Sequence, residues 1–150
     1  MGFASCAVVT AERIACDACD VRATVWVDAW QMQCCGEPFA IGDEVVWTLS
    51  ADEDTGWLQN VLGPGQAERI RYVQEHHGGL PDDAPITRGT VVGIRSLHCR
   101  YRPASDGDGG TVYPMPGTGR LQQVRAADGW DAESSEVRFL GYLVDLDLSR

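Results

Sequence analysis

This sequence predicts a mainly β protein: one small, strongly bent antiparallel β-barrel of about five to six strands, with a single short helix. Three observations carry the prediction. Apolar and polar residues alternate with period two in several separate stretches, the connections between them are rich in Gly and Pro, and one stretch alone has helical spacing. Alternating β-α units would need a helix between successive strands, and the pattern does not supply them. A closed barrel fits, in an OB-like or an SH3-like arrangement. One intervening helix suits the first, while Gly42-Asp43-Glu44-Val45-Val46-Trp47 followed by Arg88-Gly89-Thr90-Val91-Val92-Gly93-Ile94 suits the second.

Residues 1–20 have weak pattern and read as an N-terminal extension, expected to be the most mobile segment, laid over a single barrel domain of residues 21–150. The first strand covers residues 21–27, where Val21, Ala23, Val25 and Val27 alternate with Arg22, Thr24 and Trp26. A corner follows with two aromatics, two adjacent thiols and Gly36-Glu37-Pro38. The second strand, residues 42–49, sets Val45, Trp47 and Leu49 on one face, and acidic residues 50–56 read as a solvated loop.

Gly63-Pro64-Gly65 breaks the chain before the predicted helix at 66–77. Ala67, Ile70, Val73 and His77 would share one side there, with Arg71 one turn before Glu75. Residues 87–101 are β-rich, and Gly89 and Gly93 permit the bend that turns a barrel corner. Residues 104–119 form a Gly, Asp and Pro loop, residues 121–125 a short strand. The last strand, 137–148, carries Leu140, Tyr142, Val144, Leu146 and Leu148 on one face.

A chain of 150 residues is one domain's worth, and 44% hydrophobic with 23% charged residues is the balance of a soluble globular protein. No run approaches the roughly 20 apolar residues that span a bilayer, so no membrane role is expected. The N-terminus lacks a basic region, so a cytoplasmic protein is expected, with its six cysteines held as thiols or metal ligands. Acids outnumber bases 22 to 12, all of the bases being Arg, for a net charge of −10. A field of that sign repels phosphate and argues against nonspecific nucleic-acid binding.

The string Val25-Trp26-Val27-Asp28-Ala29-Trp30-Gln31-Met32-Gln33-Cys34-Cys35-Gly36-Glu37-Pro38-Phe39, then Gly42-Asp43-Glu44-Val45 with Trp47, resembles an uncharacterised bacterial family of small domains from GC-rich genomes. Glu75-His76-His77-Gly78 and Thr87-Arg88-Gly89 are similar to that family's later segments. The resemblance runs from about residue 21 to the end. It implies a domain boundary and no activity.

Three chemistries are open to these residues. Cys16-x-x-Cys19 has zinc-knuckle spacing, and Cys34 or Cys35 with His76, His77, His98 or Cys99 would complete four ligands. Against this, neighbours in an extended chain point to opposite faces, so one of Cys34 and Cys35 would turn away. A smaller zinc site of catalytic type would use Cys34 or Cys35 with His76, His77 and His98. Cys–His catalysis would need a thiolate at Cys34 or Cys35, a histidine and an orienting Asp28 or Glu75, but no local signature frames the cysteine. A disulfide between Cys34 and Cys35 lies outside ordinary disulfide geometry and is not expected.

The third chemistry is a basic stripe. Arg88, Arg95, Arg100 and Arg102 lie between Pro85 and Pro103 with no acid among them. An extended chain puts His98, Arg100 and Arg102 on one face, where guanidinium groups would meet an anion or an acidic partner, with Trp26, Trp30, Trp47 and Trp57 available for stacking. The simpler expectation is that these arginines pair with Asp and Glu of neighbouring strands. The reading preferred is a non-enzymatic binding module for an unknown protein or small-molecule ligand, with Trp30, Cys34, Cys35, His76, His77, His98, Arg100 and Arg102 as its surface. The alternatives are a zinc protein using Cys34, Cys35, His76 and His77, with Cys16 and Cys19 as substitute ligands, and a Cys–His enzyme.

Overall fold

In the computed structural model, described over residues 21–51, 55–75, 84–103, 112–134 and 136–148, the alternating stretches are strands. β1 (Arg22–Asp28) turns Ala23, Val25 and Val27 to one side. It is followed by α1 (Ala29–Cys35), β2 (Phe39–Ala40) and β3 (Glu44–Ser50). Two short helices, α2 (Gly56–Leu62) and α3 (Pro64–Ala67), precede β4 (Ile70–Gln74). β5 (Ile86–Pro103) is 18 residues long, and β6 (Val112–Pro114), β7 (Arg120–Val124), β8 (Ala126–Ala127) and β9 (Val137–Asp147) complete the order.

Five of these strands close a barrel in the order β3-β4-β1-β9-β5, with β5 returning to β3. The small mainly β barrel expected from the alternation is therefore the fold. Its neighbours run antiparallel except β1 and β4, which are parallel. β5 is long because it serves several partners: β3 at its start, β9 along its middle, and β7 and β6 towards its end. It bends where the register with β9 shifts between Val91 and Gly93, one of the two glycines the sequence marked for a corner.

The barrel interior holds Val25, Val27, Phe39, Trp47, Val91, Tyr142, Val144 and Leu146 among others. A second apolar layer lies outside it. Leu58, Val61 and Ala67 from the short helices cover Trp26, Val73, Leu97, Cys99 and Leu143. This cover explains Trp26, which alternation alone assigns to the solvent side of β1 but which is 2% exposed.

Two expectations are corrected. Among the described residues the helix at 66–77 is not formed: Pro64–Ala67 is helical, and Ile70–Gln74 is a strand. The spacing of Ile70 and Val73 imitates a helix because the register with β1 steps from Ile70 to Tyr72, leaving Arg71 as an extra residue in the strand. Ile70 and Val73 thus both meet the outer layer while Tyr72 packs towards the interior. The loop expected at 50–56 gives way at Gly56 to α2, whose Leu58 and Val61 are buried. Residues 1–20, with Cys16 and Cys19, lie outside the described residues, as do His76 and His77. Among the described residues no helix is long and apolar enough to cross a membrane.

Candidate functional site

The corner after β1 is helical. Asp28 is still extended, with φ −69° and ψ 133°, and the following Ala29, Gln31 and Met32 are buried against the barrel end. Trp30, Gln33, Cys34 and Cys35 are left on the outer side. Gly36 closes the helix, its N–H donating to Gln31 O at 3.1 Å and Met32 O at 3.2 Å. The extended corner expected here is thereby corrected. In a helix, successive side chains are not opposed as they are in a strand, and the sulfurs of Cys34 and Cys35 are joined as a disulfide. In this form neither is a thiolate ligand or nucleophile.

A second segment, residues 128–134, is tied against this helix. Gln33 Nε2 donates to Gly129 O at 2.7 Å, and Gly129 N donates to the Tyr142 hydroxyl at 3.1 Å. Gly129 has φ +92°, and a Cβ there would sit 3.0 Å from Met32 Cβ, so the close approach requires glycine. Burial pushes the Tyr142 phenol above its usual pKa, with the Gly129 N–H working in the opposite direction. Asp128 Oδ1 accepts from Trp130 N at 2.9 Å, Asp131 Oδ1 from Ala132 N at 2.7 Å, and Glu133 Oε2 from Phe139 N at 2.8 Å. The segment is thus pinned at both ends with its carboxylates set in place.

Between α1, α2 and this segment lies a cavity of about 490 Å³. Its aromatic walls are Trp30, Trp57, Trp130 and Tyr101. Its polar groups include Asp28, Asp131 and Glu133, and no Arg is among the described residues lining it. Trp57 stands edge-on to the buried Trp26 with ring centroids 5.7 Å apart, and Trp26 Nε1 donates to Asp28 Oδ1 at 2.9 Å. Tyr101 takes the Arg138 guanidinium over its ring at 5.6 Å. Burial raises the Tyr101 pKa, with the neighbouring Cys99 and Glu133 adding to the rise and Arg138 opposing it. A second cavity of about 510 Å³ shares Trp130 and Asp131 with the first.

Of the residues singled out in the sequence, Trp30 and His98 converge on this region. Trp30 lines the cavity directly. His98 reaches it through Asp131, with Nε2 3.4 Å from Oδ2, and its ring lies 5.3 Å from Phe139. Arg100 pairs with Glu136, Arg95 lies 3.5 Å from Asp145 and Arg88 3.6 Å from Glu44. The simpler expectation for the stripe therefore describes three of its four arginines. Arg102 is exposed beside Tyr113. Cys35 borders a different cavity, with Glu37, Glu44 and Trp47. Among the described residues no group of three or more His, Cys, Asp or Glu is placed to hold a metal ion.

Sequence reasoning missed Trp130, Asp131 and Glu133. The available signal was Asp128-Gly129-Trp130-Asp131, a large aromatic set between a glycine and acids in a segment with no strand pattern. Of the tryptophans that the sequence offers for stacking, Trp26 and Trp47 are 2% and 8% exposed and so closed to a ligand, whereas Trp57 is open.

A model of a family of unknown function (DUF6578) matches residues 21–148. No curated protein and no solved structure matches the chain.

Proposed function

The chain belongs to the family of unknown function DUF6578, and since that membership brings a boundary without an activity, we propose that the domain is a non-enzymatic binding module whose site is the tryptophan-lined cavity. One observation carries the reading. The chain has five tryptophans, and the three left open, Trp30 at 52%, Trp57 at 38% and Trp130 at 65% exposure, all line the same cavity.

Each comes from a different element: α1, α2 and the segment at 128–134. Burying a large apolar side chain is worth about 1.5–3 kcal/mol, and folding leaves part of that unrealised at each, most at Trp130 and least at Trp57. An occupant of the cavity would recover it. Exposed aromatics gathered in one concavity, with a few polar groups to orient what enters, are the usual form of a ligand site.

In this reading Trp30 belongs to the site and His98 supports it through Asp131. The test is a thermal-shift and tryptophan-fluorescence screen of the whole chain against amines, carboxylates, nucleotides and neutral sugars. A compound present at 100 times its Kd stabilises a one-site protein by about 2.7 kcal/mol. Compounds that raise the melting temperature should lose that effect in Trp130→Ala. Binding that survives Trp130→Ala but disappears in Cys34→Ser or Arg102→Ala would move the site to the sequence-derived surface and end this reading.

A further inference from the structure

We propose that the protein has a second ligand site, on the outer face of the sheet at Gly93, and that it takes a singly charged organic carboxylate as a free small molecule. Among the described residues it shares no lining side chain with the tryptophan-lined cavity. Strand register builds it. On the outer face Thr24 stands opposite Asp145, Asp145 opposite Gly93, and Arg95 opposite Gln123, across β1, β9, β5 and β7. Gly93 contributes no side chain to this surface, and a cavity of about 410 Å³ is lined by it. A Cβ added at Gly93 would come within 3.1 Å of Asp145 Oδ2, which sets that carboxylate beside the gap. The short helices that cover the same face at Trp26, Leu97 and Leu143 do not line it.

Charge decides what enters. The polar walls are Arg95, Gln123, Arg125 and Asp145. Asp145 Oδ1 accepts from Thr24 Oγ1 at 2.8 Å and lies 3.5 Å from Arg95 Nη2, so this carboxylate and Arg95 answer one another. Arg125 has no ion pair among the described residues. Its backbone is held in place, the carbonyl accepting from Ile41 N at 3.0 Å. Two guanidinium groups against one carboxylate leave one positive charge.

A ligand with one negative charge balances the site, whereas a dianion would exceed the balance and press against Asp145. A cation would meet two guanidinium groups. The planar fork of Arg suits a carboxylate, which it holds through two parallel N–H···O bonds, and the Gln123 amide adds a further donor. The remaining wall is apolar, from Ile41, Val92 and Val124, and fits an alkyl group behind the carboxylate. A volume of about 410 Å³ admits a small molecule and excludes a folded partner. This is why a free small molecule is the source proposed.

The experiment compares isobutyrate with isobutyramide, which share a shape and differ in charge, by chemical-shift titration of the whole nitrogen-15-labelled chain. Isobutyrate should shift the Gly93 amide and the Gln123 side-chain amide, and should bind at least fivefold more tightly than isobutyramide. Arg125 is exposed and outside the core, so Arg125→Ala keeps the fold and should weaken isobutyrate about fivefold. Arg125→Lys retains the charge without the fork and should fall between. Gly93 does not take a positive φ, so Gly93→Ala fits the backbone, fills the gap and should weaken isobutyrate at least fivefold. Arg88→Ala removes a positive charge at the start of β5 and serves as the control, binding as the parent does.

Equal affinity for isobutyrate and isobutyramide, or sulfate bound more tightly than isobutyrate, overturns the singly charged carboxylate. Isobutyrate binding unchanged in both Arg125→Ala and Gly93→Ala overturns the site. If it is lost in Trp130→Ala instead, the carboxylate belongs to the tryptophan-lined cavity, and that reading stands while this one falls. A short blocked peptide with one glutamate that binds tenfold better than isobutyrate would keep the carboxylate and overturn the free molecule as its source.

Discussion

Cys99 shows at the residue scale how the outer layer constrains chemistry. It is a free thiol, 1% exposed, on the face of β5 that α2 and α3 cover, in an apolar layer with Trp26, Leu97 and Leu143. A thiolate there would lose its hydration, so burial pushes the pKa from 9.0 up to about 11. The folded state then holds the proton while the unfolded chain gives it up. The resulting stabilisation is fully present below about pH 9 and is lost as the pH rises towards 11.

Each unit of difference is worth about 1.4 kcal/mol, so the loss across this window approaches about 3 kcal/mol. Burial moves Tyr101 and Tyr142 in the same direction, adding to the slope from pH 10 upward. Urea unfolding at a series of pH values should show a flatter alkaline limb for Cys99→Ala than for the parent, whatever the variant costs at neutral pH. Parallel limbs would mean that the thiol titrates alike in both states. The same burial predicts that an alkylating reagent leaves Cys99 unmodified in the native protein.

Among the elements, β9 carries the tightest constraint. Gly141 faces Asp28 across β1 and Leu97 across β5, at φ +153°. A Cβ placed there would run into the Val27 carbonyl oxygen and come within 2.9 Å of the Trp26 ring. Neither can yield, since one is the β1 backbone and the other is buried under the outer helices. Gly141→Ala should therefore destabilise the fold by about 3 kcal/mol, combining overpacking with backbone strain.

Gly65→Ala is the comparison: it lies in α3 with nothing within 4 Å of the added carbon, and should be neutral or gain up to about 1 kcal/mol. Thermal unfolding of the pair reads the difference, and equal melting temperatures would remove the claim. These elements also show what could be read in advance. Period-two patterning located β1, β3, β5 and β9, because each has an apolar face to bury. It misread β4, whose one-residue bulge turns a strand's spacing into a helix's, and it gave no sign of α1 and α2, seven residues each and too short for a periodic pattern. Trp30 and His98 could be nominated as functional because they stood out locally. Trp130, Asp131 and Glu133 could not be assigned to the same site, since they meet α1 only through the turn at Gly129, held by Tyr142 and Gln33.

At the scale of the whole molecule, strand pairing gathers charge at one rim of the barrel. The antiparallel β1–β9 and β5–β9 pairs bring the end of β1, the end of β5 and the start of β9 to one rim, and Asp28, Asp131 and Glu133 of the cavity stand there. They lie within a chain of net charge −10, so a cation approaching the rim is drawn first by the whole field and then by the local groups. The two parts respond differently to salt. The long-range part fades once the Debye length falls below the size of the domain, from about 30 Å at 0.01 M to about 3 Å at 1 M ionic strength. The contact with indole and carboxylate inside the cavity is screened far less. Raising sodium chloride from 0.02 to 0.5 M should therefore weaken an amine that binds in the screen by roughly threefold and then level off, while a neutral sugar should be insensitive to salt over the same range. The plateau should fall in Trp130→Ala and the salt-sensitive part should shrink in Glu133→Gln, so that one titration series separates field from contact. An amine's affinity that is flat across the whole range would show that the −10 charge plays no part in recognition.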